Sequence, residues 1–384
     1  MIASILNPMN THPIRCGVVG IHGFARDHFT HLLQLQDEGL YTVCAAVAHQ
    51  RELDPAYADS LAARGVKLLP DLDALLAEPG LELVTLPVSI HLHLPFARKV
   101  LQSGLACYLE KPVAATLTEG VALQRIQKAS GQPLFIGFQD LFHPAIYELK
   151  RRLLGGLAGK IQRVVVTAAA PRNTDYYNRN RWAGRLFLDG MPVRDSPVNN
   201  ACAHYIALAL FLAGTSEAES AWPLSVRGGL WRTRRIESFD TASLRLTTDT
   251  GIEVIFNVSH ATPDSWGPLI RIEGTTGVLE SKYRGNHPEW RLPNGALFPM
   301  EQSRSIARFR HVADVMRGGQ APLCTLDQAL PHSATVELIH ATLPIRDVPS
   351  ALIKEAEAVV FHPDMDTLLH EAHRQGTTLD ALGF

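Results

Sequence analysis

Residues 15–28 read Arg15-Cys-Gly-Val-Val-Gly20-Ile-His22-Gly23-Phe24-Ala25-Arg-Asp-His28. A short apolar run ends here in a glycine cluster. A helical pattern follows, with Phe29, Leu32, Leu33 and Leu35 at near-helical spacing and Gly39 closing it. A strand that turns through glycines into a helix gathers backbone N–H groups and a helix N-terminus at one point. That arrangement suits a pyrophosphate. The strict GxGxxG spacing is absent. Gly20 fits its first position and Ala25 its third, but His22 stands where the second glycine belongs and Gly23 comes one residue late. His22 must therefore point away from the phosphates or contact them. The turn as a whole makes Gly20, His22, Gly23, Phe24 and Ala25 candidate cofactor contacts.

Outward from this turn, strand-like and helix-like segments alternate. Apolar runs at 41–48, 81–88, 105–109 and 133–138 are separated by helical patterns at 56–65, 72–78, 93–103 and 116–130. Continuous apolar strands imply that both sheet faces are covered, as in a doubly wound parallel α/β sheet of Rossmann type. The character changes after about residue 150. Strand-like runs at 161–170, 222–233, 240–248, 251–261, 268–273 and 276–281 have few helices between them, which predicts a large open, mostly antiparallel sheet (α+β). Helices are expected at 201–213, 303–317 and 325–342. The expected division is an arm over residues 1–14, a dinucleotide-binding domain over 15–140 and a substrate and oligomerisation domain over 141–384. Residues 172–197 form a long polar and aromatic insert, and loops of that length in a compact domain are usually functional.

Composition narrows the class further. The chain has 384 residues, 46% hydrophobic and 19% charged, so a disordered or collagenous chain is excluded. Lys plus Arg number 36 against 38 Asp plus Glu, for a net charge of −2, which provides no bulk attraction to nucleic acid or anionic membrane. The cysteines (16, 44, 107, 202 and 324) are odd in number and contain no CxxC pair, so reduced thiols and a cytoplasmic location are expected. The start of the chain lacks the basic region of a signal peptide, and no apolar stretch is long enough for a membrane helix.

After the second strand, a dinucleotide domain normally presents Asp or Glu to the ribose hydroxyls. Here the residues are Ala48-His49-Gln50-Arg51. His49 and Arg51 do not repel a 2′-phosphate, so NAD and NADP both remain open as the cofactor.

Three further segments accompany the glycine turn. They are Leu86-Pro87-Val-Ser-Ile-His91-Leu-His93-Leu-Pro95, Glu110-Lys111-Pro112, and Gly137-Phe138-Gln139-Asp140 followed by LGGLAGKI at 154–161. In order and spacing they resemble the Gfo/Idh/MocA oxidoreductases, the family of glucose-fructose oxidoreductase and inositol dehydrogenase, over essentially the whole chain. The resemblance implies an N-terminal domain binding NAD(P), with Pro87, His91, His93, Glu110, Lys111 and Gln139 among the cofactor contacts. It implies that Lys111 sits beside the reacting carbon. It also implies a C-terminal sheet that often carries the dimer interface, so a homodimer or homotetramer is expected. The family's Asp and His, four residues apart at the start of a buried helix, correspond to Asn200 and His204. Asn200 stands where Asp is usual and Ser196-Pro197 replace the usual glycines, which calls the standard proton relay into question.

Oxidation of a secondary alcohol requires a hydride acceptor and a base for the hydroxyl proton. An imidazole, with a reference pKa of about 6.5, suits that task, so His204 is the expected base and Lys111 the polarising partner. Asn200, read as one helical turn from His204 and on the same face, can fix a hydroxyl as donor and acceptor. Tyr176, Tyr177, Arg181 and Trp182 in the insert, with Asn199, are candidate walls of a carbohydrate pocket. His260 is a weaker candidate. His91 and His93, two apart and without a third ligand, are not read as a metal pair. The expected activity is a dehydrogenase or reductase of a sugar, inositol or sugar acid. Two alternatives stay open. One is an enzyme that uses tightly held NAD for transient oxidation during elimination, hydrolysis or epimerisation. The other is a catalytically silent ligand-binding regulator on the same fold.

Overall fold

The computed structural model describes residues 12–48, 54–284, 287–299 and 304–384. Most of the expected N-terminal arm, together with His49 and Arg51, lies outside the described residues. The chain divides into two compact units, residues 1–114, 118–142 and 304–326 in the first, and 115–117, 143–303 and 327–384 in the second.

The first unit alternates strand and helix as β1 (Ile14–Val19), α1 (Ala25–Asp37), β2 (Tyr41–Val47), α2 (Pro55–Ala63), β3 (Lys67–Leu69), α3 (Leu72–Leu76), β4 (Leu83–Leu86), α4 (His93–Gln102), β5 (Ala106–Leu109), α5 (Leu117–Ser130) and β6 (Leu134–Ile136). The six strands are parallel in the order β3-β2-β1-β4-β5-β6. Strands β4, β5 and β6 are buried along their whole length, as a sheet covered on both faces requires. The order reverses between β1 and β4, so the crevice at the carboxyl ends of those strands is where such a sheet takes its ligand. Among the six strands of this sheet, only the three-residue β3 lacked an apolar run long enough to predict it.

The second unit begins with α6 (Pro144–Leu154) and β7 (Ile161–Ala169). The long insert is not wholly irregular. It holds α7 (Thr174–Asn178) and a small hairpin of β8 (Phe187–Leu188) and β9 (Met191–Pro192). Next come α8 (Ala203–Ala213), β10 (Pro223–Arg232), β11 (Thr241–Thr248), β12 (Glu253–Ser259), β13 (Trp266–Gly274), β14 (Val278–Arg284), β15 (His287–Arg291) and β16 (Leu297–Pro299). After α9 (Arg304–Met316), which belongs to the first unit, the second resumes with α10 (Leu326–Thr342), β17 (Ile345–Asp347), β18 (Lys354–Ala356), β19 (Val359–Phe361) and α11 (Met365–Gln375). Nine strands form one mixed sheet in the order β16-β15-β14-β13-β7-β12-β11-β10-β17, with β7–β12 and β10–β17 parallel and the remaining pairs antiparallel.

The period of two separates the faces of this sheet. Val164, Val166, Ala168, Val254, Phe256, Val258, Leu244, Leu246, Ile270 and Ile272 share a register and are all buried, and α8 packs on this face over β7 and β12. The opposite face carries Arg163, Thr167, Ser243, Arg245, Glu253, Asn257 and Glu273, and the chain's own α11 occupies its centre. His373 Nδ1 lies 3.0 Å from Thr167 Oγ1, Asn257 Nδ2 donates to Thr377 O, and Leu379 N–H donates to Ser243 Oγ. Met365, Leu369, Ala372 and Leu379 form a small apolar core with Trp231 and Val348. Beyond α11, Arg163 bridges Glu253 and Glu273, which pair in turn with Arg245 and Arg271.

Leu369 is fully buried in that small core. Leu369→Ala is expected to cost about 2–5 kcal/mol in urea unfolding. A loss of only a few tenths would mean that α11 does not pack on the sheet.

Candidate functional site

The first unit brings the predicted cofactor residues to one edge of its sheet. Gly20 and Gly23 have φ of +101° and +55°, the left-handed region that glycine tolerates, so the chain can turn sharply from β1 into α1. Gly20 N–H is held by Val47 O at the end of β2, at 3.0 Å. No side chain caps the N-terminus of α1 among the described residues, and His22 Nε2 is buried without a partner there. An uncapped helix end and an orphaned ring nitrogen at the strand switch point fit a dinucleotide pyrophosphate. Ala25 is buried at the start of α1 and Phe24 is exposed beside it. Pro87 and His91 follow β4, Lys111 follows β5, and Gln139 follows β6; all four are partly exposed. Gln139 Oε1 accepts from Ser305 Oγ at 3.4 Å.

Two expected cofactor contacts turn inward instead. His93 is fully buried, with Nδ1 2.7 Å from Pro112 O and Nε2 3.1 Å from Val88 O. Burial pushes its pKa below the usual imidazole range, against the pull of those carbonyls. It pins the loop after β4 to the loop after β5 rather than facing a ligand. Glu110 is buried as well. Its Oε1 lies 3.0 Å from His28 Nε2, and its Oε2 accepts from Lys111 N–H at 3.1 Å. Burial alone would raise its pKa; the His28 hydrogen bond and the Arg308 charge hold it down to about 2. A Cβ on Gly137 would stand 2.7 Å from Glu110 Oε2, so only glycine leaves room for this carboxylate.

Arg308 was not foreseen. It lies on α9, within the range expected to belong wholly to the C-terminal domain, yet α9 packs in the first unit. Its guanidinium is 0% exposed, pairs with Asp27 in the first turn of α1, and stands 3.7 Å from Glu110. The rings of Phe309, Tyr108 and Phe24 surround it. This buried cluster draws α9 into the first unit and ties the turn that starts α1 to the strand end that carries Lys111.

The second unit assembles the other candidates. Helix α8 begins at Ala203, so Asn200 stands in the preceding turn and not on the helix with His204, as the sequence had suggested. His204 lies in the first turn of α8 and is partly exposed. At the other end of α8, the buried ammonium of Lys150 donates to Leu212 O at 3.2 Å and to Gly214 O. Burial brings its pKa down to about 8. His332 Nε2 lies 2.9 Å from Val198 O and secures the turn before the helix.

Asn200 Nδ2 donates to Asp195 Oδ1 at 2.9 Å and reaches the Tyr176 hydroxyl at 3.5 Å. Asp195, which the sequence reading passed over, is buried and also accepts from Gly184 N–H at 2.7 Å. A carboxylate therefore does stand beside Asn200, supplied from five residues upstream. Asn199 is 1% exposed and donates to Val193 O and Arg194 O, so it braces the loop rather than lining a pocket. Tyr176, Tyr177 and Trp182 do come together. The Arg179 guanidinium lies 3.6 Å from the Tyr176 ring centre and 5.0 Å from that of Trp182. Arg181 turns outward to Asp189, at 2.9 Å. Tyr177 Oη lies 3.0 Å from His260 Nδ1. His260 is 2% exposed, and burial, reinforced by Arg172, Arg179 and Arg234, pushes its pKa well below the usual value.

The folded-state pKa of Glu110, about 2, lies below the roughly 4.3 of an unfolded glutamate. Its contribution to stability is therefore fully present above about pH 5 and is lost as pH falls toward 2. Glu110→Gln should flatten the acid limb of stability against pH and, by leaving Arg308 short of a counter-charge, cost about 3–5 kcal/mol at neutral pH. An unchanged slope below pH 5 would contradict the ionised assignment.

Comparison with known proteins adds to this geometry. A family model described as "Oxidoreductase family, NAD-binding Rossmann fold" (GFO_IDH_MocA) matches residues 14–138. The chain is 28% identical over 340 residues to a scyllo-inositol 2-dehydrogenase (NAD(+)) of Bacillus subtilis, spanning 82% of this chain and 89% of that one. It is 24% identical over 331 residues to a dTDP-3,4-didehydro-2,6-dideoxy-alpha-D-glucose 3-reductase of Streptomyces violaceoruber, spanning 82% and 90%. Among solved structures, a 3-ketoreductase from Actinomadura kijaniata in complex with NADP and TDP-benzene superposes with a TM-score of 0.70 at 19% identity, over 88% of this chain and all of that one (100%). The WlbA dehydrogenase from Bordetella pertussis, in complex with NADH and UDP-GlcNAcA, gives 0.68 at 21% identity, over 86% and 96%. At these identities the structural likeness speaks to the fold. Among the described residues no helix is long and apolar enough to cross a membrane.

Proposed function

We propose, from the premise that the chain belongs to the Gfo/Idh/MocA oxidoreductase family, that it is an NAD(P)-dependent dehydrogenase or reductase of a sugar-like secondary alcohol or ketone, with Lys111 and His204 handling the proton. The observation that carries this reading is the edge of the first sheet, where an uncapped glycine turn and Lys111 are tied together through Glu110, His28 and Arg308. When bound, the nicotinamide takes up the hydride in oxidation and returns it in reduction.

In oxidation the substrate O–H bond breaks and its proton passes to an imidazole nitrogen of His204 as a C=O bond forms. In reduction the same nitrogen returns it. Lys111 donates a hydrogen bond to the substrate oxygen and steadies negative charge there. Asn200 acts as a positioning residue. Its amide donates to Asp195, which holds the side chain in place toward a substrate hydroxyl. Tyr176, Tyr177 and Trp182 offer aromatic faces to the C–H surface of a carbohydrate ring.

Lys111→Ala and His204→Ala are each expected to lower kcat/KM on the preferred substrate by about 100-fold or more, with His204→Ala leaving cofactor affinity nearly unchanged. The panel should include inositols, aldoses and sugar acids, each with NAD and with NADP. Turnover within a few-fold of wild type in both variants would remove them from the mechanism.

A further inference from the structure

The turn that carries Asp195 and Asn200 is entered through a strained residue. Arg194 has a φ of +46°, in the left-handed region. Of the other non-glycine residues with positive φ, Asp189, Glu357 and Ala358 turn the tight hairpins β8–β9 and β18–β19, where that conformation is the usual one. Arg194 lies beyond its hairpin, and glycine would take the same backbone there without strain. The chain keeps an arginine instead, and its side chain has a partner. Nη1 and Nη2 donate to Oε2 and Oε1 of Glu337 on α10, at 2.7 and 3.2 Å. The Arg194 side chain is 17% exposed, so this two-pronged pair is screened less than one on the open surface. The same carboxylate accepts from Leu117 N–H at 3.4 Å, and Leu117 also belongs to the second unit.

The main chain of Arg194 is held as well. Its N–H donates to Leu186 O at 3.0 Å, and its carbonyl accepts from Asn199 Nδ2 at 3.2 Å. The next residue then turns inward. Asp195 N–H donates to Arg185 O, and its carboxylate accepts from Gly184 N–H and from Asn200 Nδ2. Backbone strain of this kind persists only where surrounding contacts over-determine it, and here those contacts converge on two candidate site residues. We infer that Arg194 and Glu337 are positioning residues: Glu337 grips the guanidinium and so holds the chain in the left-handed conformation that aims the Asp195 carboxylate at Asn200. Both act through Asp195 and Asn200 and not by contact with the reacting atoms. The inference rests on the proposed redox reading, in which Asn200 meets a substrate hydroxyl.

The test is steady-state kinetics of full-chain Arg194→Gly, which permits the backbone conformation but removes the grip. Arg194→Gly is expected to lower kcat on the preferred substrate by about tenfold, with cofactor affinity within about twofold of wild type, and Arg194→Lys to recover part of the loss. In an Asn200→Ala background, Arg194→Gly should change kcat by less than about twofold, because the group it positions is gone. Full activity of Arg194→Gly, or a loss that multiplies undiminished on that of Asn200→Ala, would overturn the inference. If Arg194→Gly does not fold, Glu337→Gln, which keeps the shape and removes the charge, is read by the same criteria. If the wild type turns over no sugar, inositol or sugar acid, the redox reading fails and the positioning is read by amide hydrogen exchange. Faster exchange confined to residues 195–204 in the variant then supports it, and unchanged or uniformly faster exchange contradicts it.

Discussion

A carboxylate buried at the end of β5 governs the first unit. Taking Glu110 out of water costs several kcal/mol unless partners meet it. His28 from α1, Arg308 from α9 and the N–H of Lys111 do so. Each partner comes from a different part of the chain, so the carboxylate fixes three things together. It sets the start of α1 against the sheet, draws in a helix nearly two hundred residues away in sequence, and orients the backbone from which Lys111 projects. Gly137 on the neighbouring strand end completes the arrangement by leaving space. The ionic cluster thus links the geometry of the glycine turn to that of the lysine.

The second unit uses a comparable device on a helix. Helix α8 is apolar almost all round and is buried from Ile206 to Ala213, so packing holds it laterally. Its ends are held by polar contacts. The Lys150 ammonium sits at the C-terminus, where the helix dipole favours a cation, and His332 holds the turn before the N-terminus. His204 and Asn200 emerge from this clamped segment. The buried Asp195, five residues upstream, stands beside Asn200 and accepts from its amide.

The strands and helices of the first unit were legible because fully buried parallel strands are continuous apolar runs, bounded by glycines and polar turns. Strand β3 was missed because three residues carry no period. Helix α11 was not among the expected helices, although Met365, Leu368, Leu369 and Ala372 have helical spacing. Spacing placed Glu110 and His93 correctly at strand and helix ends. It could not show which way their side chains turn, because that depends on Arg308, Pro112 and Val88, which are remote or main-chain partners. Asn199 and Asn200 are adjacent and chemically alike, yet only tertiary contacts separate the brace from the candidate site residue.

The central claim is that substrate and nicotinamide exchange a hydride in net fashion. It is tested most directly by following nicotinamide reduction and keto-product formation together, in one reaction mixture, with the best substrate found. The account predicts one reduced cofactor for each molecule oxidised, throughout the time course. Product that accumulates while the cofactor shows no net change would contradict it and favour transient oxidation by a retained dinucleotide.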